Sequence, residues 1–184
     1  MNKKTYKEFL ETDVYKGEKR IFMKLFAKYF NPVTNAAFLF RKMQYMNSQK
    51  GIIAKIQTVL LRKELAEKYG ILASPEAIIG KYLRFVHPTS IVIGRHVVAG
   101  EHLSLYQNTT LGGAHLGDVN KGNQPVVGNN VTLFANSLAL GNITIGDDVI
   151  IGANSLLLKS VPSGVVCVGT PARYIKKIES NKEG

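Results

Sequence analysis

The chain has 184 residues, 45% hydrophobic and 20% charged, which suits one folded domain, or one with a small helical cap, and excludes a disordered chain. Its single cysteine, Cys167, excludes an internal disulfide and an all-cysteine metal site, and it suits a reducing compartment. The net charge of +11 is uneven: residues 1–70 hold 15 lysines and arginines against 6 acidic residues, and residues 71–184 hold 9 against 7. Such a segment fits an anionic membrane face, a polyanionic substrate or nucleic acid, or simply a solvated helix surface. No nucleic-acid motif accompanies it, so a nucleic-acid partner is not expected.

The start, Met1-Asn2-Lys3-Lys4, is basic, but Thr5 to Lys19 holds no apolar run long enough for a signal peptide. Runs such as Ala36 to Phe40 are too short to span a bilayer. The expectation is a cytoplasmic protein, with the basic segment able to make peripheral contact with the inner membrane surface. Residues 1–70 read as an N-terminal α-helical segment. Helices are expected on both sides of Asn31-Pro32, because a residue before proline is biased out of the α region. Phe22, Leu25, Phe26 and Tyr29 form an apolar stripe on the first, while Phe38, Phe40, Met43, Tyr45 and Met46 spread more widely round the second. These aromatics are expected to pack into the core. From Lys50 to Tyr69, Ile52, Ile53, Ile56, Val59, Leu60 and Leu65 recur near the helical period, and Gly70 is a stop signal.

After Gly70 the rhythm changes. An aliphatic or small residue returns every six positions, at Ile93, Ala99, Leu105 and Leu111, then at Val127, Leu133, Ala139, Ile145, Ile151 and Leu157. A second small or branched residue follows each by four, as at Val97, Leu103, Thr109, Val131, Ser137 and Ile143, with His115 the exception. This is the signature of a parallel β-helix, whose stacked coils bury what no single coil can. Two places break the period. Phe85 and Ile93 are eight apart, with His87 between them, and the loop 112–126 adds ten residues between Leu111 and Val127. Loops leaving a rigid scaffold are where function concentrates.

Several stretches carry a resemblance: His87-Pro-Thr-Ser-Ile-Val-Ile-Gly94, Gln107-Asn-Thr-Thr-Leu-Gly-Gly113, Asn142 to Ser155, and Val168-Gly-Thr-Pro-Ala-Arg173. Over about residues 71–178 the chain resembles the left-handed β-helix hexapeptide acyltransferases, and within them the serine O-acetyltransferase group. The resemblance implies a mainly β fold, a left-handed parallel β-helix over 71–178 behind the helical segment 1–70, with a tail at 179–184. It also implies homotrimers with acetyl-CoA sites between subunits and His87 as catalytic base. By the same resemblance Ala135 and Ala153 meet the pantetheine arm, and Lys159, Arg173 and Lys176 lie near the CoA phosphates, where charge-assisted bonds are favourable.

The chemistry suits these residues on its own terms. Acetyl transfer to an alcohol needs a base to take the hydroxyl proton as oxygen attacks the thioester. An imidazole, ordinarily titrating near 6.5, does this near neutral pH. The oxyanion needs N–H donors, and Gly112 and Gly113, opening the long loop, are candidates, with Gln124 at the loop's far end. No metal is required.

The departures bear on the acceptor. Where the group carries an aspartate that orients the histidine, this chain has Leu72. Where it has an aspartate just before that histidine, this chain has Val86, and where it has a histidine before the proline closing the loop, this chain has Gln124. Losing these groups points away from free serine, toward a sugar hydroxyl of the kind modified by capsule and exopolysaccharide O-acetyltransferases. Serine O-acetyltransferase itself is the alternative, as is a non-catalytic assembly solenoid. A metal enzyme on this scaffold is disfavoured, because His96 and His102 are one hexapeptide apart and so lie on different faces.

Overall fold

A computed structural model describes residues 1–177; the expected tail at 179–184 lies outside them. The chain opens with helices. α1 (Lys3–Phe9) begins on Asn2, whose side chain accepts the Thr5 N–H, and runs into a π-helical turn at Leu10–Tyr15. α2 (Ile21–Tyr29) and α3 (Pro32–Asn47) meet at Asn31, whose Oδ1 accepts the N–H groups of Val33 and Thr34. Pro32 sits in the first turn of α3, where a missing N–H costs nothing. α4 (Ile52–Tyr69) ends at Gly70, whose N–H donates to the Ala66 carbonyl. No helix among the described residues is long and apolar enough to cross a membrane.

Strands of two or three residues then wind into a three-sided prism. The first coil is β1 (Leu72–Ala73), β2 (Ile78–Ile79) and β3 (Arg84–Phe85). β4 (Val92–Ile93), β5 (Val98–Ala99) and β6 (Ser104–Leu105) form the second. The third is β7 (Thr110–Gly112), then a loop holding the short α5 (Asp118–Lys121), then β8 (Val126–Val127) and β9 (Thr132–Leu133). β10 (Leu138–Leu140), β11 (Thr144–Ile145) and β12 (Ile150–Ile151) follow. β13 (Leu156–Leu157), β14 (Val165–Gly169) and β15 (Ala172–Lys177) end the described chain. Parallel pairing yields three sheets, β1-β4-β7-β10-β13, β2-β5-β8-β11 and β3-β6-β9-β12-β14, with β15 antiparallel on the last.

The period explains the interior. The second residue of each strand points inward, so Ile93, Leu105, Leu133, Ala139 and Ile151 are buried, as are Val97, Leu103, Val131 and Val149 at the second recurring position. Thr109, Ser137 and Ser155 are buried too, and each hydroxyl is satisfied locally, donating to the carbonyls of Tyr106, Phe134 and Ala153. The helices cap the first coil. Phe40 packs edge-on against Phe85, with centroids 6.0 Å apart. Beside it the buried Arg41 guanidinium pairs with Asp13 (2.7 Å) and donates to the carbonyls of Ile79 and Gly80.

The helix faces differ from expectation. Phe38, Phe40 and Met43 are core residues, but Phe22, Leu25, Phe26 and Tyr29 are exposed. On α4 the chain buries Ala54, Thr58, Leu61 and Leu65 and leaves Ile52, Ile53, Ile56, Val59 and Leu60 outside. α4 packs against α3 and the first coil, so the face carrying Ala54, Thr58, Leu61 and Leu65 is the one covered, and the stripe of Ile52, Ile53, Ile56, Val59 and Leu60 faces away.

Candidate active site

The first break, residues 86–90, joins β3 to β4. Pro88 is buried there, and Ser90, with φ of 53°, turns the chain into β4. The Ser90 N–H donates to the Tyr69 carbonyl (3.0 Å) and the Thr89 N–H to the His87 carbonyl (2.7 Å), so the end of α4 steadies the corner that presents His87. His87 is exposed. Its ring lies edge-on to Tyr106, with centroids 5.6 Å apart, and Tyr106 leans on Phe134 at 4.7 Å.

Beneath His87 the corners of later coils stack into one edge. The Asn108 N–H donates to Thr89, the Asn136 N–H to Gln107 and the Asn154 N–H to Ala135. The same asparagines form a side-chain ladder, Asn108 Nδ2 to Asn136 Oδ1 at 2.7 Å and Asn136 Nδ2 to Asn154 Oδ1 at 3.0 Å. Ala135 and Ala153 lie on this edge, in line with His87. Thr170 Oγ1 donates to the Asn154 carbonyl and the Gly169 N–H to Ser155 Oγ, closing the edge just before Arg173. Lys176 stands farther along β15, opposite Val166, and Lys159 follows β13 at another corner, so the three expected phosphate cations do not cluster within one chain. All three are exposed.

The second break starts at Gly112 and Gly113, at the far end of the sheet face that His87 begins. Asp118, which the sequence reading did not single out, organises it. Its Oδ2 accepts the N–H groups of Ala114 (2.9 Å) and His115 (2.7 Å), and its Oδ1 accepts Asn123 Nδ2 (3.1 Å). The Asn123 amide, then the His115 N–H, hold this carboxyl below its usual range. Glycine is needed at 113 because a Cβ there would stand 2.7 Å from the Asp118 Cβ. Gln124 closes the loop but is buried, its Oε1 accepting the His96 N–H (2.8 Å). A Cβ on Gly94 would overlap that oxygen. Gln124 is therefore a clamp rather than a group facing the loop's mouth. The Gly117-Asp118 pair, a turn signal, is the sequence feature by which Asp118 could have been found. Tyr106 and Gln107 were also missed; Gln107 Oε1 is buried on the His87 edge with no hydrogen-bond partner among the described residues. Among the described residues no three His, Cys, Asp or Glu side chains gather as a metal site, and His102 instead stacks on Tyr82 at 4.2 Å.

Asp118→Ala is expected to free the Ala114 and His115 amides. Their hydrogen exchange at neutral pH should quicken roughly ten- to a hundredfold, as for a lost bond to a charged acceptor. In the parent the protection is complete above the ordinary carboxylate pKa of about 4 and fades only as pH falls toward the lowered folded value. Unchanged exchange in the variant would show that the loop is held by other contacts.

Residues 124–159 match the family described as bacterial transferase hexapeptide (six repeats). Over 123 residues the chain is 36% identical to a serine acetyltransferase of Buchnera aphidicola subsp. Schizaphis graminum, a span of 67% of this chain and 47% of that one. It is 43% identical over 108 residues to one from Staphylococcus epidermidis, covering 59% and 50% of the two chains. The chain thus spans about half the length of the curated relatives it matches. The solved serine acetyltransferase of Brucella abortus strain S19 superposes with a TM-score of 0.79 at 25% identity, over 95% of this chain and 70% of that one. A serine acetyltransferase in complex with CoA gives 0.73 at 28%, over 94% and 71%. The fold is the left-handed parallel β-helix that the hexapeptide period implies.

These relatives correct the expected sugar acceptor and the polysaccharide-modifying subgroup, since all of them are named for serine. The expectation rested on the departures at Leu72, Val86 and Gln124. In the chain Leu72 faces outward from β1, Val86 is at the His87 corner, and Gln124 is buried beside Gly94.

Proposed function

We propose that this chain is an acetyltransferase that moves the acetyl group of acetyl-CoA to the hydroxyl of serine, with His87 as general base. The observation that carries this reading is the straight edge on which His87, Ala135 and Ala153 stand in line, in a fold otherwise similar to serine acetyltransferases. Pantetheine laid along that edge brings its thioester to the imidazole. His87 accepts the hydroxyl proton as the serine oxygen attacks the carbonyl carbon. The new C–O bond forms, the C–S bond breaks, and the imidazolium returns the proton to the departing CoA sulfur. N–H groups at Gly112 and Gly113 stabilise the intermediate oxyanion. Within one chain those glycines stand at the opposite end of the face from His87, so the reading includes a homotrimer in which a neighbouring copy's loop completes each site. Arg173 and Lys176 meet the CoA phosphates from the end of the edge, Lys159 from a neighbouring corner, and no metal enters the chemistry. A supply of acetyl-CoA fits the cytoplasm.

The test is release of free CoA from acetyl-CoA with L-serine, alongside the mass of the assembly. Turnover that saturates with L-serine, from a particle three times 20.3 kDa or a multiple of it, is expected. CoA release that ignores serine would sink the acceptor assignment, and a monomer with full activity would sink the shared site.

A further inference from the structure

We propose that the outer face of α2 docks on an anionic lipid surface. Ile21, Phe22, Leu25, Phe26, Tyr29 and Phe30 are between 44% and 74% exposed. Their spacing, pairs that recur every four residues, puts them on one face of the helix and its cap. Phe26 and Phe30 stack at 5.9 Å, so at least part of the face is a joined aromatic surface. Solvent contact on this scale, on a helix barely three turns long, marks an interaction site.

The charges round this face select the occupant. Residues 16–30 hold Lys16, Lys19, Arg20, Lys24 and Lys28 against one acid, Glu18, and that acid is already bonded to Arg20. Lys28 Nζ lies 4.7 Å above the Tyr29 ring, at the edge of the aromatic face. Lys24 is held at the other flank by Glu11 (2.9 Å). A bulky apolar strip rimmed by cations suits the boundary between acyl chains and anionic headgroups, where the rings bury and the ammonium groups meet phosphate. A second copy fits less well, because a two-fold contact would bring together two rims in which cations outnumber acids, with Glu11 and Glu18 already bonded to Lys24 and Arg20. The exposed stripe of α4 differs, having no aromatic residue among Ile52, Ile53, Ile56, Val59 and Leu60 and carrying Glu64 and Glu67 on the same helix. Attachment at α2 leaves the His87 edge and the long loop unused, so it is independent of the acetyl-transfer reading.

The test is co-sedimentation of the full chain with vesicles of phosphatidylcholine alone and of phosphatidylcholine mixed with phosphatidylglycerol. Binding to the mixed vesicles is expected, weakened by salt near 0.5 M, about three times the roughly 0.15 M of physiological conditions. The double variant Phe22→Ser with Phe26→Ser should bind at least about tenfold more weakly, and Lys19→Ser with Arg20→Ser should lose the preference for anionic lipid. These four residues are exposed, and an unchanged circular dichroism spectrum and melting curve verify that the variants fold. Equal binding to the two vesicle types, or unchanged binding by the Phe22 and Phe26 variant, would overturn the proposal. A smaller particle mass for that variant with unaltered vesicle binding would also overturn it, in favour of a second copy on the same face.

Discussion

Replacing His87 by alanine is expected to lower serine-dependent CoA release by about 10²- to 10⁴-fold, the usual worth of a positioned general base. The fold should not notice. His87 is exposed, its backbone carbonyl keeps the Thr89 N–H, and its ring contact is with the edge of Tyr106. The corner is built by Pro88, Ser90 and the Tyr69 carbonyl, none of which the substitution touches. CoA affinity should also hold, because the edge proposed for CoA at Ala135 and Ala153 is unaltered. The assay is steady-state turnover paired with calorimetric CoA binding and a thermal melt. Activity within about threefold of the parent, with intact CoA binding, would remove His87 from the chemistry.

Arg41→Ala is expected to produce the largest loss of stability, about 3–5 kcal/mol, as when one partner of a buried ion pair is deleted. Both side chains of the pair are fully buried. Asp13 Oδ2 accepts from Arg41 Nε, Asp13 Oδ1 from the Tyr82 N–H, and Arg41 Nη1 donates to Gln44 Oε1 and the Ile79 carbonyl. Burial lowers the guanidinium pKa, and the Asp13 charge and hydrogen bond oppose that shift. Without the guanidinium, Asp13 Oδ2 and the Ile79 and Gly80 carbonyls each lose the Arg41 donor at the joint between the helices and the first coil. The unfolding midpoint should fall by roughly 10 °C for a chain of this size. Arg41→Lys should recover only part of this, because an ammonium cannot reproduce the guanidinium fork. A midpoint within about 2 °C of the parent would show that the joint rests on apolar packing around Phe40 and Phe85 instead.

The solenoid and its two breaks were legible because the signal is local. In a coil of hexapeptides, whether Leu105 or Ile151 points inward depends only on its place in the period, and every turn repeats the test. Helix ends were legible for the same reason: Pro32 and Gly70 act on their own backbone. Asp118 was harder to see, because its role depends on where Ala114, His115 and Asn123 come to rest after the chain has left the coil. The acceptor was misread because three departures, at Leu72, Val86 and Gln124, were given more weight than the likeness over the rest of the coils, which the serine acetyltransferase relatives share.

By itself, then, the order of residues determined the β-helix, the inward positions of its coils and the helical start, and it proposed His87 as the base. Only the tertiary structure decided which faces of α2 and α4 meet the core, that Gln124 clamps rather than faces outward, and that His87 and Gly112–Gly113 stand at opposite ends of one face. The division has a physical cause. A six-residue period fixes side-chain direction through the neighbouring backbone. An amphipathic helix has more apolar surface than its core can cover, and which side it buries is settled by the shape of elements distant in sequence, here α3 and the first coil.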